Sequence, residues 1–260
     1  MTDKKIIFFD IDGTLLDHDK NLPPATKEAI RTLKKDGHEV AIATGRGPFM
    51  YEDLREELGI QNFVSYNGQY VEVDRELIFG NSLNQDKLEE LTELAATHDH
   101  PLVYMGQKEM KANVEHHNHI VESIGTMKIG AFPTHDPEYF KMEEIYQTLI
   151  FCEQGEETRY EQKFEAFDFI RWHPLSVDIL PKGGSKAKGI EMMIAKLNIN
   201  PENVYAFGDG LNDIEMLSTV AHGVAMGNAH DETKEVAKYV TKAVDENGIV
   251  HGLKMVGLLK

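Results

Sequence analysis

The chain is poor in sulfur-bearing nucleophiles and in basic charge. Its 260 residues include one cysteine, Cys152, which excludes an internal disulfide and a thiolate metal centre and fits a reducing, cytoplasmic setting. Lys and Arg number 27 against 44 Asp and Glu, a net charge of −17. That balance argues against a nucleic-acid or anionic-membrane partner, because both require a basic footprint. Any anionic ligand must instead be met by local cations. No apolar run reaches membrane-spanning length, and Met-Thr-Asp-Lys-Lys leads straight into the first apolar run with nothing that marks secretion or anchoring. The glycine-rich nucleotide loops Gly-x-x-x-x-Gly-Lys-Ser/Thr and Gly-x-Gly-x-x-Gly are missing, as are internal repeats and low-complexity segments.

What the chain does have is a rhythm. Ile6 to Phe9 form a short continuous apolar stretch, as expected of a strand buried on both faces of a parallel sheet. Pro23-Pro24 then starts a helical pattern with Ala29, Ile30 and Leu33 on one face, closed by Gly37. Residues 38–43 read as a second strand, Leu54 and Leu58 with Gly59 as a helix, and residues 63–66 as a third strand ending at Asn67-Gly68. Between 82 and 182 the pattern changes to helices near 85–97 and 137–144 with strands at 102–105, 146–152, 167–172 and 175–180, partly antiparallel. From Ser185 the first rhythm resumes: a helix on Ile190, Met193, Ile194 and Leu197, a strand at 204–207, another near 222–226, and helices near 231–238 and 247–258. The expected fold class is therefore α/β: a doubly wound parallel-sheet core over 1–81 and 183–260, with a separate α+β unit inserted over 82–182.

Three strands of the core end in polar signatures: Asp10-Ile11-Asp12-Gly13, Thr44-Gly45-Arg46, and Asp209 with Asn212 and Asp213. Side chains at i and i+2 of an extended segment point the same way, so Asp10 and Asp12 can face one volume, where they repel unless a cation or proton intervenes. A calcium loop is excluded, because Thr14-Leu15-Leu16 follow and no glutamate stands at the twelfth position. In open α/β sheets ligands bind beyond the carboxyl ends of the strands, so neighbouring parallel strands would bring the three signatures to one rim. Asp10, Asp209 and Asp213 offer oxygens to a hard divalent cation, and the small number of acids favours Mg²⁺, which keeps waters and borrows substrate oxygens. Thr44 supplies a hydroxyl and Gly45 a backbone N–H to a phosphate oxygen. Lys186, at the start of a helix, adds a positive charge beside the helix N-terminus. With a phosphoryl group so held, Asp10 could attack phosphorus to form an aspartyl-phosphate that water hydrolyses, with Asp12 first as acid to the leaving alcohol and then as base to the water.

Asp10-Ile-Asp12-Gly-Thr14, Thr44-Gly-Arg46, Ser185-Lys186 and Gly208-Asp209-x-x-Asn212-Asp213, in this order, resemble the four motifs of the haloacid dehalogenase (HAD) superfamily. The large insert between the second and third resembles the Cof-type phosphatases with their α/β cap. The resemblance implies a Rossmann-like core, Asp10 as nucleophile, Asp12 as acid and base, and Thr44 and Lys186 on the phosphoryl group. It further implies Mg²⁺ held by Asp10, Asp209 and the Asp12 carbonyl, with Asn212 and Asp213 supporting the metal surroundings and the lysine. Arg46 and Asn67 match positions that often line the substrate side of such sites. The implied ligand is a small phosphorylated metabolite, such as a sugar phosphate.

Two other functions share much of this pattern. A phosphomutase or phosphotransferase would use the same intermediate and pass the phosphoryl group to an alcohol, and a phosphometabolite-binding regulator would keep the fold without turnover. The intact Asp12 argues against the regulator. His116, His117 and His119 lie in an expected cap helix and read as a surface cluster, because no distal ligand completes a zinc set. Phe167 and Trp172 read as cap core, Met192, Met193 and Met216 as core filling, and Glu153 to Glu157 as a solvated turn before a helix.

Overall fold

The continuous apolar run at the start of the chain becomes the inner strand of a large sheet. The structure, a computed structural model, describes residues 4–260, so the first three residues of the expected core segment lie outside it. The described residues divide into two compact units, one of residues 4–45, 53–79 and 185–260, the other of Arg46–Glu52 and Gly80–Gly184. The sequence placed the cap at 82–182; the structure also groups Arg46–Glu52 with that unit.

The first unit opens with β1 (Ile6–Phe9), α1 (Pro24–Lys35), β2 (Glu39–Ala43), α2 (Glu52–Leu58), β3 (Asn62–Ser65), β4 (Tyr70–Val73) and β5 (Glu76–Gly80). The second contributes α3 (Gln85–Ala96), β6 (Leu102–Met105), β7 (Met110–Ala112), α4 (Asn118–Thr126), β8 (Thr134–His135), α5 (Tyr139–Met142), β9 (Gln147–Ile150), α6 (Thr158–Glu161), β10 (Phe167–His173) and β11 (Ser176–Pro181). The first unit then closes with α7 (Lys186–Leu197), β12 (Val204–Gly208), α8 (Ile214–Thr219), β13 (His222–Ala225), α9 (Asp231–Val236), β14 (Tyr239–Val240) and α10 (Gly248–Met255).

Its sheet has eight strands in the order β14-β13-β12-β1-β2-β3-β4-β5. β1 pairs in parallel with β12 and with β2, with Phe9 level with Phe207 on one side and with Ile42 on the other. Every residue of β1 is fully buried, which is why Ile-Ile-Phe-Phe has no polar alternation. The run of parallel pairs ends at β3, which meets β4 antiparallel. One face of the sheet is covered by α7 and α8, which bring Ile190, Met193, Met216 and Leu217 onto Phe8, Val64 and Ala206. Helix α1 buries Thr26, Ala29, Ile30 and Leu33, the stripe expected of its apolar spacing.

The second unit carries a six-stranded sheet, order β10-β11-β9-β6-β7-β8, antiparallel except where β7 meets β8. Leu88 and Leu91 of α3 pack with Tyr104, Ile150, Val177 and Ile179 to form its core. Arg171 clamps this unit by donating to the Glu157 carboxylate at 2.6 and 2.8 Å, and its Nη1 donates to the Cys152 carbonyl at 3.2 Å. Glu157 is therefore a structural partner in a stretch that the sequence presents as a solvated turn.

Several expectations need correction. Helix α4 starts at Asn118 with His117 as its N-cap, so of the three histidines only His119 lies inside it. Met192 is 36% exposed, because it stands a step of about 100° around α7 from fully buried Met193. The third strand stops at Ser65: Tyr66 adopts φ +51°, which an extended strand cannot contain. Trp172 is only half-buried, whereas Phe167 is in the core as expected.

Candidate active site

The C-terminal ends of β12, β1 and β2 lie side by side because the strands are parallel neighbours in register, and the residues that follow them converge. The Asp10 amide extends the ladder by donating to the Phe207 carbonyl at 3.0 Å, which fixes Asp10 one step beyond the buried strand. Asp209 stands one residue past Gly208 at the end of β12. Thr44 follows β2, its amide donating to the Val64 carbonyl at 2.8 Å while its own carbonyl accepts from the Asn67 amide at 3.1 Å. Gly45 stands against the Asn67 side-chain amide, and Asn212 Nδ2 donates to Asn67 Oδ1 at 3.0 Å. Arg46, the next residue, belongs to the second unit.

Two glycines are required by the close approach of chain segments. Gly13 has φ +75°, and a Cβ there would run into the carboxylate of Asp209. Gly68 has φ +95°, and a Cβ would collide with the Ser185 carbonyl, the residue that caps α7 by accepting from the Lys188 amide at 3.3 Å. The bare backbone at Gly68 thus sets where α7 begins, and so where its first residue, Lys186, is placed.

Lys186 is 1% exposed. A lysine in the first turn of a helix faces the positive end of the dipole and needs anions, and it has two: Nζ donates to Asp10 Oδ1 and to Asp213 Oδ1, each at 2.7 Å. The other oxygen of Asp213 accepts from the Asp209 and Gly210 amides, each at 2.9 Å. Asp213 is consumed as a brace that orients the lysine and the Asp209 turn. Asp209 Oδ1 accepts from the Thr14 hydroxyl at 3.0 Å, and Oδ2 from Asn228 Nδ2 at 3.3 Å. Asn228 Nδ2 also donates to the Gly13 carbonyl at 2.9 Å, and its Oδ1 accepts from the Val244 amide at 2.9 Å. Sequence reasoning did not single out Asn228, although it lies just beyond β13, the parallel neighbour of β12. Asp12 points to Lys20, whose Nζ is 2.6 Å from its Oδ1.

Electrostatics sets this cluster apart. Burial pushes the Asp10 carboxyl up to about 8, against the pull of Lys186, and the neighbouring Asp213, Asp209 and Asp12 add to the rise. Burial, then Asp213, likewise raises Asp209 to about 6, with the Thr14 hydroxyl opposing. For Lys186 burial works against the charge, but Asp10 and Asp213 outweigh it and its pKa rises. An isolated, solvated ion pair would lower its carboxyl; here Asp10 goes up because burial, reinforced by the neighbouring acids, outweighs the one ammonium. Among the described residues, Asp10, Asp209 and Asp213 can each bring an oxygen within 4.8 Å of the others. Fully ionised, they leave two negative charges uncompensated after Lys186, and with Asp213 engaged by Lys186 and two amides, the hard oxygens of Asp10 and Asp209 are the donors that fit a divalent cation.

Acids and a buried ammonium meet at the carboxyl ends of parallel strands, where α/β sheets bind ligands, and the relatives of the chain support a hydrolase acting on phosphoric esters. The chain belongs to the haloacid dehalogenase-like hydrolases, whose family model matches residues 7–253. It is 48% identical over 258 residues to YkrA of Bacillus subtilis (strain 168), a protein provisionally named a phosphatase, with 99% of this chain and 100% of that protein covered. The 5-amino-6-(5-phospho-D-ribitylamino)uracil phosphatase YcsE of the same organism is 30% identical over 97% of this chain and 95% of its own length. Among solved structures, a protein from Geobacillus kaustophilus HTA426 superposes with a TM-score of 0.95 at 54% identity, covering 98% of this chain and all of that one. The HAD subclass IIB sugar phosphatase BT4131 superposes with a TM-score of 0.85 at 30% identity, also over 98% and 100%. Among the described residues no helix is long and apolar enough to cross a membrane.

Proposed function

We propose that the protein is a Mg²⁺-dependent phosphomonoesterase that hydrolyses a small phosphorylated metabolite, a sugar phosphate or similar ester, through an aspartyl-phosphate. The observation that carries the reading is the arrangement around Asp10: a carboxylate at a parallel strand end, 7% exposed, fixed through one oxygen by the buried Lys186 and faced by Asp209. The sugar-phosphate class draws support from the name of BT4131, and the wider class of small phosphate esters from that of YcsE.

Asp10 attacks phosphorus in line with the ester oxygen. Asp12 delivers a proton to that oxygen as the P–O bond breaks, so the alcohol leaves neutral and the phosphoryl group stays on Asp10. Asp12, now a carboxylate, takes a proton from water as its oxygen attacks phosphorus, which frees inorganic phosphate and restores Asp10. Thr44 and the Gly45 amide donate to phosphoryl oxygens, and Lys186 offsets charge on Asp10 and the transferring group. Asp10, Asp209 and the Asp12 carbonyl would hold Mg²⁺, which supplies positive charge to the phosphoryl oxygens and keeps Asp10 ionised. Asp213 and Asn212 keep Lys186 and the Asp209 turn in place.

The test is hydrolysis of 4-nitrophenyl phosphate followed by colour release. Activity is expected with Mg²⁺, lost on chelation and restored on adding the metal. Asp10→Asn should lower kcat by at least about 10³-fold, since a nucleophile has no substitute. Full activity in that purified variant would refute the nucleophile assignment.

A further inference from the structure

Lys20 stands eight positions after Asp12, yet its ammonium returns to that carboxylate at 2.6 Å. We propose that Lys20 is a positioning residue for Asp12, holding the carboxylate through one oxygen in the orientation that acid and base transfer require. The inference rests on the reading of Asp12 as acid and base.

The pair is open to solvent, with side chains 25% and 40% exposed, so it adds little to stability. The chain nevertheless goes to some length to make it. Lys20 has φ +63°, a left-handed conformation that glycine or asparagine adopts more easily than lysine. The turn is built to hold it: Asp17 Oδ1 accepts from the Asp19 and Asn21 amides at 2.9 Å each, the Lys20 amide donates to the Asp17 carbonyl at 3.0 Å, and the Asp17 amide to the Asn21 carbonyl at 3.0 Å. The base of the loop is closed on the motif itself, with the Gly13 amide donating to the Leu16 carbonyl at 2.9 Å and the Leu16 amide to the Ile11 carbonyl at 2.8 Å. Leu15 and Leu16 bury their side chains and anchor the loop to the unit's core. Arg75 and Lys128 also adopt left-handed angles, at φ +68° and +51°, so it is the double fastening of the turn that fixes where the Lys20 ammonium is presented.

The chemistry gives that ammonium a task. A carboxylate at a turn rotates about two side-chain bonds, and only some of those rotamers put an oxygen where a leaving alcohol, and then a water, will be. A charge-assisted hydrogen bond on Oδ1 narrows the choice of rotamer. Misplacement by about 1 Å can cost a hundredfold in rate.

The experiment compares wild type, Lys20→Met, Lys20→Arg, Asp12→Asn and the double variant, with Mg²⁺, on 4-nitrophenyl phosphate and a simple alkyl phosphate. Lys20→Met should lower kcat by about tenfold to a hundredfold while KM stays within about twofold, because the lost interaction acts on the reacting groups and not on binding. Lys20→Arg should recover most of kcat. In the Asp12→Asn background the Lys20→Met change should cost nothing further, since there is no carboxylate left to orient. A wild-type kcat in Lys20→Met, or an undiminished penalty when Asp12 is already Asn, overturns the proposal. If the wild type hydrolyses no phosphate ester, the functional reading fails on its own, and crystal structures of wild type and Lys20→Met decide the positioning claim. An Asp12 carboxylate that turns away supports it, and one that stays in place overturns it.

Discussion

Replacing Lys186 with Met tests how the buried acids are held. The ammonium makes two 2.7 Å bonds, to Asp10 and Asp213, and the side chains of all three residues are at most 9% exposed. Met fills nearly the same volume, so packing changes little and the loss is electrostatic. Two carboxylates are then left in a poorly solvated cluster with no cation, and breaking a buried pair in this way costs about 3–5 kcal/mol. For a protein of this size that corresponds to a fall in Tm of about 10 °C. The sign of the pH dependence follows from Asp10, whose carboxyl burial already raises to about 8. A carboxyl whose pKa is higher folded than unfolded binds extra protons in the native state, so stability declines as pH rises from the ordinary carboxylate range through the folded value. Without Lys186 the carboxyl rises further, so the deficit should be largest near pH 8.5 and shrink towards pH 5, where protonation removes the uncompensated charge. Scanning calorimetry of both proteins at the two pH values, with chelator present so that no cation substitutes for the lysine, reads this directly. A variant whose Tm at the higher pH lies within about 2 °C of wild type would show that the three acids do not depend on Lys186, and the charge argument would fail.

Two further changes probe other parts of the molecule. Asp178 of β11 pairs across the sheet with Leu149 and Ile170, its Oδ1 is buried without a hydrogen-bond partner, and burial pushes its carboxyl up to about 7, with the neighbouring Gln147 and Trp172 side chains pulling weakly the other way. Native-state stability should therefore be lost as pH rises from about 4 through 7, and Asp178→Asn should be the more stable protein at pH 8, by on the order of 2 kcal/mol, with no advantage at pH 4; equal urea midpoints at pH 8 would contradict this. Gly189 of α7 faces Val64 and the Gly68 backbone so closely that an added Cβ runs into Val64 Cγ1. Gly189→Ala gains about 1 kcal/mol of helix propensity but overpacks at a cost of about 1–3 kcal/mol, and it should displace Lys186, so lower Tm and lower kcat should appear together, and a more stable, fully active variant would refute the contact.

The elements that sequence made legible are those with one strong physical demand. β1 is buried from end to end and reads as pure hydrophobe; α1 must bury one stripe and shows it in Ala29, Ile30 and Leu33. Because such strands must stop where the polar residues begin, Asp10, Thr44 and Asp209 announce themselves. Legibility fails where a residue's place depends on distant partners or on a left-handed turn. Thr14 reaches Asp209 across 195 positions, and Asn228 belongs to a Gly-Asn-Ala-His stretch indistinguishable from an ordinary turn until β13 is seen beside β12. Lys20 meets Asp12 across a turn whose left-handed residue is a lysine, where glycine or asparagine would have signalled it. In the second unit, β7 and β8 are three and two residues long, too short to show alternation; β7 forms on the edge of β6, and β8 on the edge of β7. Glu157 looked solvated because its partner Arg171 lies in a strand 14 residues later.

The position of β1 between β2 and β12 also makes the order of synthesis matter. β2 can pair with β1 soon after it is made, but β12 follows only after the second unit and α7, so that one side of an entirely apolar strand waits without its partner. At ~5–20 residues per second, the 195 positions from Thr14 to Asp209 take roughly 10–40 s to synthesise. During that time the nascent chain carries an unpaired hydrophobic edge, the feature that recruits chaperones and promotes aggregation. Under the proposed mechanism the same arrangement keeps an incomplete chain from acting on esters, because Asp10 lacks both Lys186 and Asp209 until the last third of the protein has left the ribosome.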